Sequence, residues 1–332
     1  MNTPLALLAA TGLGFLAAGP ALKPADSAPP AQNKVTITVR GDKRVIESNG
    51  IPDHPVAAFP NRGNPNAISE QKYRLEVPVR PQPAAEQPGR FPYAWGVALN
   101  GVVFDPGTAE VYNDGDRSNP WRYEALKSNT EMGTTPRIPT GLGLDQNHGH
   151  VQPNGAYHYH GLPTLLIARL SGGEQKMTHV GWAADGYPVY AVHAYADPAD
   201  PKSGIKAMRS SYRLKTADRG GDGKTSPTGK PDGSFGLDYE YVAGYGDLDE
   251  FGGRTGVTPE FPNGTYYYVL TEEFPFIPRK LKGTPDPSFN KTRMDAHANL
   301  GGQGGPGAKG KGKGKKGPPP GGFGGPPPEG AK

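Results

Sequence analysis

The residues with the clearest chemical potential lie in one short histidine-rich segment. Four of the eight histidines lie within residues 148–160, as the pairs His148/His150 and His158/His160. Alternate residues of a strand share a face, about 6.6 Å apart at Cα, so each pair can reach one ion through M–N bonds of about 2.0–2.1 Å. A turn at residues 153–155 would bring the pairs together across a hairpin. The spacing therefore predicts a mononuclear or dinuclear centre that holds zinc, copper or iron.

Two aspartates accompany the histidines as candidate site residues. Asp145 lies just before the first pair, and Asp185 lies in an Asp-Gly turn. We predict that they are additional metal ligands or accept a hydrogen bond from an imidazole N–H. His54, in an irregular loop, is a further candidate ligand. The alternative is a metal-free cluster, in which half-buried strand histidines bind backbone groups and tyrosine hydroxyls.

Composition excludes several kinds of site. The chain has no cysteine, which rules out disulfides, iron–sulfur clusters, Cys-ligated zinc or copper and a Cys nucleophile. It lacks the HExxH, GxSxG and Walker A motifs, so no catalytic residue is identified.

The positive charge of the chain lies in its C-terminal tail. Residues 299–332 contain six Lys and one Glu, which leaves 30 basic and 31 acidic residues in the rest of the chain. The near-neutral body predicts no nucleic-acid partner, whereas the basic tail predicts contact with anionic polysaccharide or the cell envelope.

The two ends of the chain differ in composition from the part between them. Residues 5–18 are small or apolar apart from Thr11, too short to span a bilayer and typical of a signal peptide, although a buried N-terminal helix is the alternative. We predict a signal peptide at residues 1–28, no transmembrane segment in the mature protein, and a periplasmic or extracellular location. Residues 286–332, rich in Gly, Pro and Lys, are predicted to be a disordered tail.

The body between these ends must position the histidines with β-structure. The chain has 49 Gly and 38 Pro, which disfavours long helices. We predict a mainly β fold with long loops and few short helices. Residues 29–94 are predicted to contain a β-hairpin, formed by residues 35–39 and 44–47, and an irregular loop region. The clearest helix signal lies at residues 119–126, where an Asn N-cap precedes a Pro.

An internal similarity extends through the body. Residues 96–101 resemble 181–186, residues 144–146 resemble 248–250, and residues 153–159 resemble 262–268. Three matches in the same order predict a duplication. We therefore predict two pseudo-repeated β units packed on a shared core, at residues 95–175 and 176–285.

The second predicted unit lacks the four histidines of the first. The corresponding positions carry Gly252, Arg254, Tyr267 and Val269. Because a scaffold role would be expected in both units, the difference predicts a site in the first unit alone. The guanidinium of Arg254 cannot ligate a metal, and we predict that it pairs with Asp249 or Glu250.

The segment HGHVQPNGAYHYHG at residues 148–161 resembles the signature of the YHYH-domain proteins. The resemblance covers roughly residues 35–285, since further similar blocks lie at residues 48–54, 96–101, 185–188, 211–214 and 246–250. Members of this family are mostly exported and mostly bacterial, so the resemblance implies export, but it implies no particular activity. Where many members have Cys-Asn after Leu-Asp-Glu, this chain has Phe251 and Gly252.

Three functional interpretations follow from these features. The first is an exported YHYH-domain protein with a His-rich transition-metal site. The second is a metal-dependent envelope oxidase or hydrolase, with Asp145, Asp185 or Tyr159 transferring protons. The third is a non-catalytic structural or surface-interaction module without a metal. No residue pattern identifies a substrate.

Overall fold

Strands dominate the part of the chain that the structure describes. The computed structural model describes residues 27–84, 93–113, 115–127 and 141–294. Within these residues the chain forms fifteen strands, an α-helix at Thr164–Ser171 and a helical segment at residues 291–294, which confirms the predicted mainly β fold. The predicted signal peptide up to residue 26 and the tail beyond residue 294 lie outside the described residues. None of the described helices has the length and apolar character needed to span a bilayer.

The strands are short and form four sheets. In chain order they are β1 (Val35–Arg40), β2 (Lys43–Ser48), β3 (Tyr73–Pro78), β4 (Gly96–Ala98), β5 (Val103–Phe104), β6 (Gly149–Val151), β7 (Tyr157–Tyr159), β8 (Thr178–Ala183), β9 (Pro188–Ala191), β10 (His193–Tyr195), β11 (Ile205–Ala207), β12 (Tyr212–Leu214), β13 (Tyr239–Tyr241), β14 (Gly253–Gly256) and β15 (Thr265–Leu270). The pairs β10–β11 and β12–β13 are separate two-stranded sheets.

A three-stranded antiparallel sheet precedes the histidine motif. β1 and β2 form the predicted hairpin, with Val39 opposite Arg44, and β3 pairs with the other side of β2. Ile46 and Leu75 are buried in the apolar cluster that also contains residues of the largest sheet, whereas most of β1 is exposed. The small sheet therefore covers part of the main core with one face.

Eight strands form the sheet that carries the histidine motif, in the order β14-β15-β9-β8-β4-β5-β7-β6. From either edge, an antiparallel pair (β6/β7 or β14/β15) is followed by a parallel pairing (β7 with β5, or β15 with β9). β4 and β8 pair antiparallel at the centre. The two halves share one strand order and one set of pairing directions, as the predicted duplication requires; the duplication itself stays a prediction.

Tyrosines of β7 and β15 bind the turns that precede their partner strands. The Tyr157 hydroxyl donates to Asp145 Oδ2 at 2.7 Å, while Asp145 Oδ1 accepts the backbone N–H groups two and four residues onward. The Tyr266 hydroxyl donates to Asp249 at 2.9 Å, and Asp249 accepts the equivalent two N–H groups. Each aspartate thus fixes its own turn and ties it to the neighbouring strand.

A second tyrosine of each strand reaches a central hairpin turn. The Tyr159 hydroxyl accepts from Asn100 Nδ2 at 2.9 Å, and the Tyr268 hydroxyl donates to Asp185 Oδ2 at 2.6 Å. Asp185 also accepts the backbone N–H of Gly283 and is only 1% exposed. Burial raises the pKa of the Asp185 carboxyl to about 6. Asp185 is therefore an anchor of the turn between β8 and β9.

One apolar cluster joins the two halves of the large sheet. Trp95, next to β4, packs edge-to-face on Phe104 and on Tyr268, with ring centroids 6.2 and 5.1 Å apart. Phe104 in turn contacts Tyr159 at 5.8 Å. All four side chains are at most 1% exposed, so neither half has a core of its own in this region.

The helices differ from the prediction. Residues 119–126 form no helix, because Arg122 and Tyr123 make isolated β-bridges to Val111 and Phe235. These tertiary pairings override a local propensity that is weak in so short a segment. The described α-helix, α1 (Thr164–Ser171), instead follows the histidine motif directly and ends at Gly172, whose φ is +68°.

The chain continues to pack against the core beyond the predicted tail boundary. Asp286 caps a short 3₁₀ turn at Pro287–Phe289, and its carboxylate pairs with Lys43 at 2.6 Å. The Phe289 ring is fully buried in the main cluster, and its carbonyl accepts the N–H of Ala94. Residues 286–294 therefore belong to the ordered body, and the predicted disorder applies only to residues further on, outside the described part.

We predict that Phe289→Ala lowers the free energy of unfolding by about 3–5 kcal/mol, because it leaves a cavity in a closely packed core. Urea unfolding followed by tryptophan fluorescence measures this change. Val39→Ala is the control, since that side chain is 60% exposed and its loss should change stability by less than about 0.5 kcal/mol. Removal of residues 301–332 should leave the unfolding temperature unchanged. Equal stability of Phe289→Ala and the wild type would contradict the core assignment.

Asp185→Asn should change how stability depends on pH. A carboxyl whose pKa is raised on folding binds its proton more tightly in the native state, so its contribution is fully present below about pH 4 and declines as pH rises through about 6. The wild type should therefore lose about 3 kcal/mol relative to Asp185→Asn between pH 4 and 7. Urea titrations across this range test the difference. Asp249→Asn controls for loss of the tyrosine hydrogen bond itself, and a pH-independent difference for Asp185→Asn would refute the prediction.

Candidate metal centre

The histidine motif folds as a tight hairpin at one edge of the large sheet. β6 pairs antiparallel with β7, and His150 lies directly opposite His158. The connecting turn is closed by backbone hydrogen bonds, with Gly155 at a φ of +83°, where L side chains are strained. Directly opposed residues project from the same face, so this register places both imidazoles together.

Three imidazoles converge on one point. His160 Nε2 lies 3.0 Å from His158 Nε2 and 3.0 Å from His150 Nε2, and the three ring centroids are 4.7–4.8 Å apart. Among the described residues, these are the one group of three His, Asp or Glu side chains whose ligand atoms all lie within 4.8 Å of one another. We call His150, His158 and His160 the histidine triad.

Two of the three outer nitrogen atoms of the triad face backbone carbonyls. His150 Nδ1 lies 2.9 Å from the Leu142 carbonyl oxygen, and His158 Nδ1 lies 3.3 Å from that of Ala156. His160 Nδ1 is buried and has no hydrogen-bond partner. A carbonyl accepts only from N–H, so these contacts assign the proton to Nδ1 of His150 and of His158. The Nε2 lone pairs of these two rings therefore face Nε2 of His160 or lie close to it.

Burial keeps the triad neutral. His158 and His160 are 4% and 2% exposed, and desolvation holds the pKa of each imidazole well below its usual value. The half-buried His150 has a lowered pKa for the same main reason. Neutral imidazole is the form that ligates a metal, so the environment favours the ligand state at neutral pH.

Two of the predicted ligands, His148 and Asp145, lie next to the triad in the hairpin but do not belong to it. His148 precedes β6 in a left-handed conformation with a φ of +52°, and its Nδ1 atom lies 2.8 Å from the Leu162 carbonyl oxygen. The His-x-His rule fails for this pair because His148 belongs to the turn and not to the strand. Both oxygens of Asp145 are engaged by the turn and by Tyr157. The structure therefore gives both residues roles in shaping the hairpin.

The other candidates lie on the tyrosine side of the sheet. Asp185 binds Tyr268 in the second half. The Tyr159 hydroxyl donates to His54 Nε2 at 2.6 Å and accepts from Asn100, so neither its proton nor the His54 lone pair is directed at the triad. Strand alternation separates these groups from the imidazoles of β7.

The equivalent place in the second half contains no histidine. Arg254 lies opposite Tyr267 as His150 lies opposite His158. The Arg254 guanidinium donates to the Tyr267 hydroxyl at 2.7 Å and to the Tyr195 carbonyl. The predicted pairing of Arg254 with an acid is wrong: Glu250 pairs with Lys280, and Asp249 with Lys282. Arg254 thus forms a side-chain hydrogen bond with Tyr267 in place of the ion pair that the sequence predicted.

Sequence reasoning missed two ion pairs near the triad. Asp105 directly follows β5, the parallel neighbour of β7, and pairs with Lys291 at 2.8 Å. Glu124 pairs with Arg279 at 2.7 Å. The positive charges of Lys291 and Arg279 contribute to the lowered pKa values of His158 and His160, respectively, after the larger effect of burial. Asp105 and Lys291 are 186 residues apart in the sequence, and Glu124 and Arg279 are 155 residues apart. No local sequence pattern therefore indicates either ion pair.

Comparison with protein-family models identifies the family to which this motif belongs. The family model described as YHYH protein matches residues 74–283, which include all eight strands of the large sheet and the entire triad. No curated protein and no solved structure matches the chain. Since the matched region spans more than half of the sequence, the chain belongs to the YHYH protein family.

Proposed function

We propose that this protein is an exported metalloprotein that binds one transition-metal ion through His150, His158 and His160, and that the ion is catalytic. The export part of the proposal rests on the apolar segment at residues 5–18. The metal part rests on the geometry of the triad. Zinc, copper and iron are the candidate ions, because imidazole suits each of them.

The observation that carries the proposal is the close approach of three imidazole nitrogens. Two Nε2–Nε2 separations are 3.0 Å, and the outer nitrogens of His150 and His158 face carbonyls that require N–H, so the Nε2 atoms of these two rings carry lone pairs. In the metal-free protein, a neutral His160 can donate an Nε2–H to only one of these lone pairs at a time, and its Nδ1 atom has no partner. A metal ion would satisfy all three Nε2 atoms at once.

The same distances favour a catalytic site over a closed structural site. With M–N bonds of about 2.0–2.1 Å, nitrogens 3.0 Å apart subtend about 91–97° at the ion. Two of the three N–M–N angles are thus close to 90°, and a site with three protein ligands leaves at least one coordination position for water or substrate. Structural zinc sites usually have four protein ligands, whereas catalytic sites have three and an open position. We therefore favour a metal-dependent envelope oxidase or hydrolase over a structural module.

Replacement of both buried ligands tests the metal site. We expect the wild-type body to bind about one ion per chain and His158→Ala/His160→Ala to bind none, because one imidazole cannot hold the ion. Plasma emission spectroscopy of dialysed protein measures the stoichiometry. His148→Asn is the matched control, since Asn tolerates a positive φ and His148 lies outside the triad. Full metal retention by the double variant would place the ion elsewhere.

Metal affinity should depend on pH in a defined direction. Because burial lowers the pKa of all three imidazoles, protons compete with the metal only below the usual histidine pKa of about 6.5. We expect the dissociation constant to be constant between about pH 8 and 6.5 and to increase at lower pH. Competition titration with a chromogenic chelator measures it. A marked loss of affinity between pH 8 and 7 would contradict a neutral, buried triad.

A further inference from the structure

The outer side of β1 is an unpaired strand edge. β1 is the first strand of the three-stranded sheet, and among the described residues neither a strand nor an isolated bridge pairs with its outer side. Its pairing with β2 runs from Val35 to Arg40 without a bulge. Proteins commonly protect such an edge with a proline, a bulge or charged side chains. Of these features, β1 has a single charge, at its last residue.

Three residues of β1 direct their backbone groups outward. In an antiparallel pair, alternate residues exchange hydrogen bonds with the partner strand, and the residues between them direct N–H and C=O to the other side. The Asn49 N–H donates to the Lys34 carbonyl at 3.0 Å, so the even-numbered residues are those that bond to β2. The outward backbone groups belong to Val35, Ile37 and Val39. We call these three residues the β1 edge.

The side chains of the β1 edge are apolar and partly uncovered. Ile37 lies opposite Ile46, which is buried in the main core, yet Ile37 itself is 37% exposed. Val39, two residues onward on the same face, is 60% exposed. A strand that continued the sheet beyond β1 would cover this apolar surface together with the free backbone groups.

The sequence of this strand is self-complementary in an antiparallel pairing. Residues 35–39 read Val-Thr-Ile-Thr-Val, which is a palindrome about Ile37. When two copies pair about a two-fold axis at Ile37, each valine faces a valine and each threonine faces a threonine, and β-branched and Thr–Thr pairs of this kind stabilise sheets. The three outward residues then form the hydrogen-bonded pairs, with about six backbone hydrogen bonds. The palindrome and the backbone directions therefore select the same register.

We propose that the β1 edge is a homodimer interface, in which β1 of two copies pairs antiparallel about Ile37 and joins the two three-stranded sheets into one. A second copy is the occupant that fits, because a two-fold interface requires a surface that is complementary to itself. One strand pair buries less than the roughly 1,200 Å² at which stable interfaces begin, so the dimer forms at high protein concentration. The proposal is independent of the metal site, since β1 and the triad belong to different sheets.

The ends of this register bring like charges together. Lys34 lies opposite Arg40 of the second copy at both ends of the paired strands. Within one copy, the exposed Lys34 pairs with Glu70 at 3.2 Å. The exposed Arg40 lies 3.8 Å from Glu47. Like charges that face each other across two strands weaken the pairing, and opposite charges strengthen it.

Arg40→Glu should therefore strengthen the dimer, because it places a carboxylate opposite Lys34 at both ends. We expect the dissociation constant of the dimer to decrease by about 2- to 30-fold. Sedimentation equilibrium at protein concentrations from about 1 μM to 1 mM measures it. The wild type should be monomeric at the lowest concentration and partly dimeric at the highest.

Ile37→Pro should remain monomeric throughout this range. Proline removes an outward N–H and breaks no hydrogen bond to β2, so the hairpin itself is kept. Ile37→Val is the matched control, because it keeps the N–H and should dimerise like the wild type. Should Ile37→Pro fail to fold, Val39→Lys replaces it, since a charge on the edge also opposes pairing.

A single introduced cysteine tests the register, because the chain has none of its own. In the proposed pairing, the Cα atoms of Ile37 in the two copies lie about 5.5 Å apart, within the reach of a disulfide. The two Val39 Cα atoms are about 14 Å apart along the strands, which is too far. Under mild oxidation, Ile37→Cys should form a covalent dimer and Val39→Cys should not.

Any of four results would overturn the inference. They are a wild type that stays monomeric at about 1 mM, dimerisation of Ile37→Pro equal to that of the wild type, a weaker dimer in Arg40→Glu, and equally fast cross-linking of Val39→Cys. For a monomeric wild type, amide hydrogen exchange identifies what replaces the second copy. Protection of the β1 edge amides would show that another segment of this chain covers them, and rapid exchange would show that the edge is free.

Discussion

The two-residue periodicity of β7 is the constraint on which the rest of the site depends. Tyr157 and Tyr159 point to one face and reach Asp145 and Asn100, where their hydroxyls bind turns. His158 necessarily points to the other face and is joined there by the imidazole opposite it on β6. A shift of one residue in register would exchange the two faces and bury the imidazoles among the turn anchors. The tyrosine hydrogen bonds therefore determine where the imidazoles lie.

Because the tyrosines lie on one face of β7 and His158 on the other, the residues that anchor the turns and the residues of the candidate site can change independently. In β15 the tyrosine face is kept, because Tyr266 and Tyr268 bind Asp249 and Asp185 just as their counterparts in β7 bind theirs. The opposite face carries Tyr267, which is bound by an arginine. Hairpin geometry consequently does not require histidine. The imidazoles of the first half need an explanation other than scaffold stability, and the proposed metal coordination supplies one.

The sequence predicted the parts of this arrangement that depend on local periodicity and turn chemistry. It predicted the hairpin, the shared tyrosine face and the convergence of three of the four histidines, since each follows from alternation about an Asn-Gly turn, whereas the metal-ligand role of these histidines stays a prediction. It placed His148 with the triad because spacing alone does not show that a residue has a positive φ. The sequence could not predict the ion pair of Glu124 with Arg279, because contacts between residues 155 positions apart depend on tertiary packing and produce no periodic pattern in the sequence.

The stability of the metal-free protein bears on why the triad persists. Three neutral imidazoles, two of them almost fully buried, lose hydration, and an Nε2–H of His160 can serve only one of its two Nε2 neighbours at a time while its Nδ1 has no partner. The second half fills the equivalent position with a tyrosine and an arginine that satisfy each other. In the absence of an ion, the first half is therefore the less favourable of two solutions on the same backbone. The proposed metal binding would reverse that order, because ion coordination contributes directly to the free energy of folding. On this proposal, the triad destabilises the metal-free protein locally and stabilises the protein once an ion is bound.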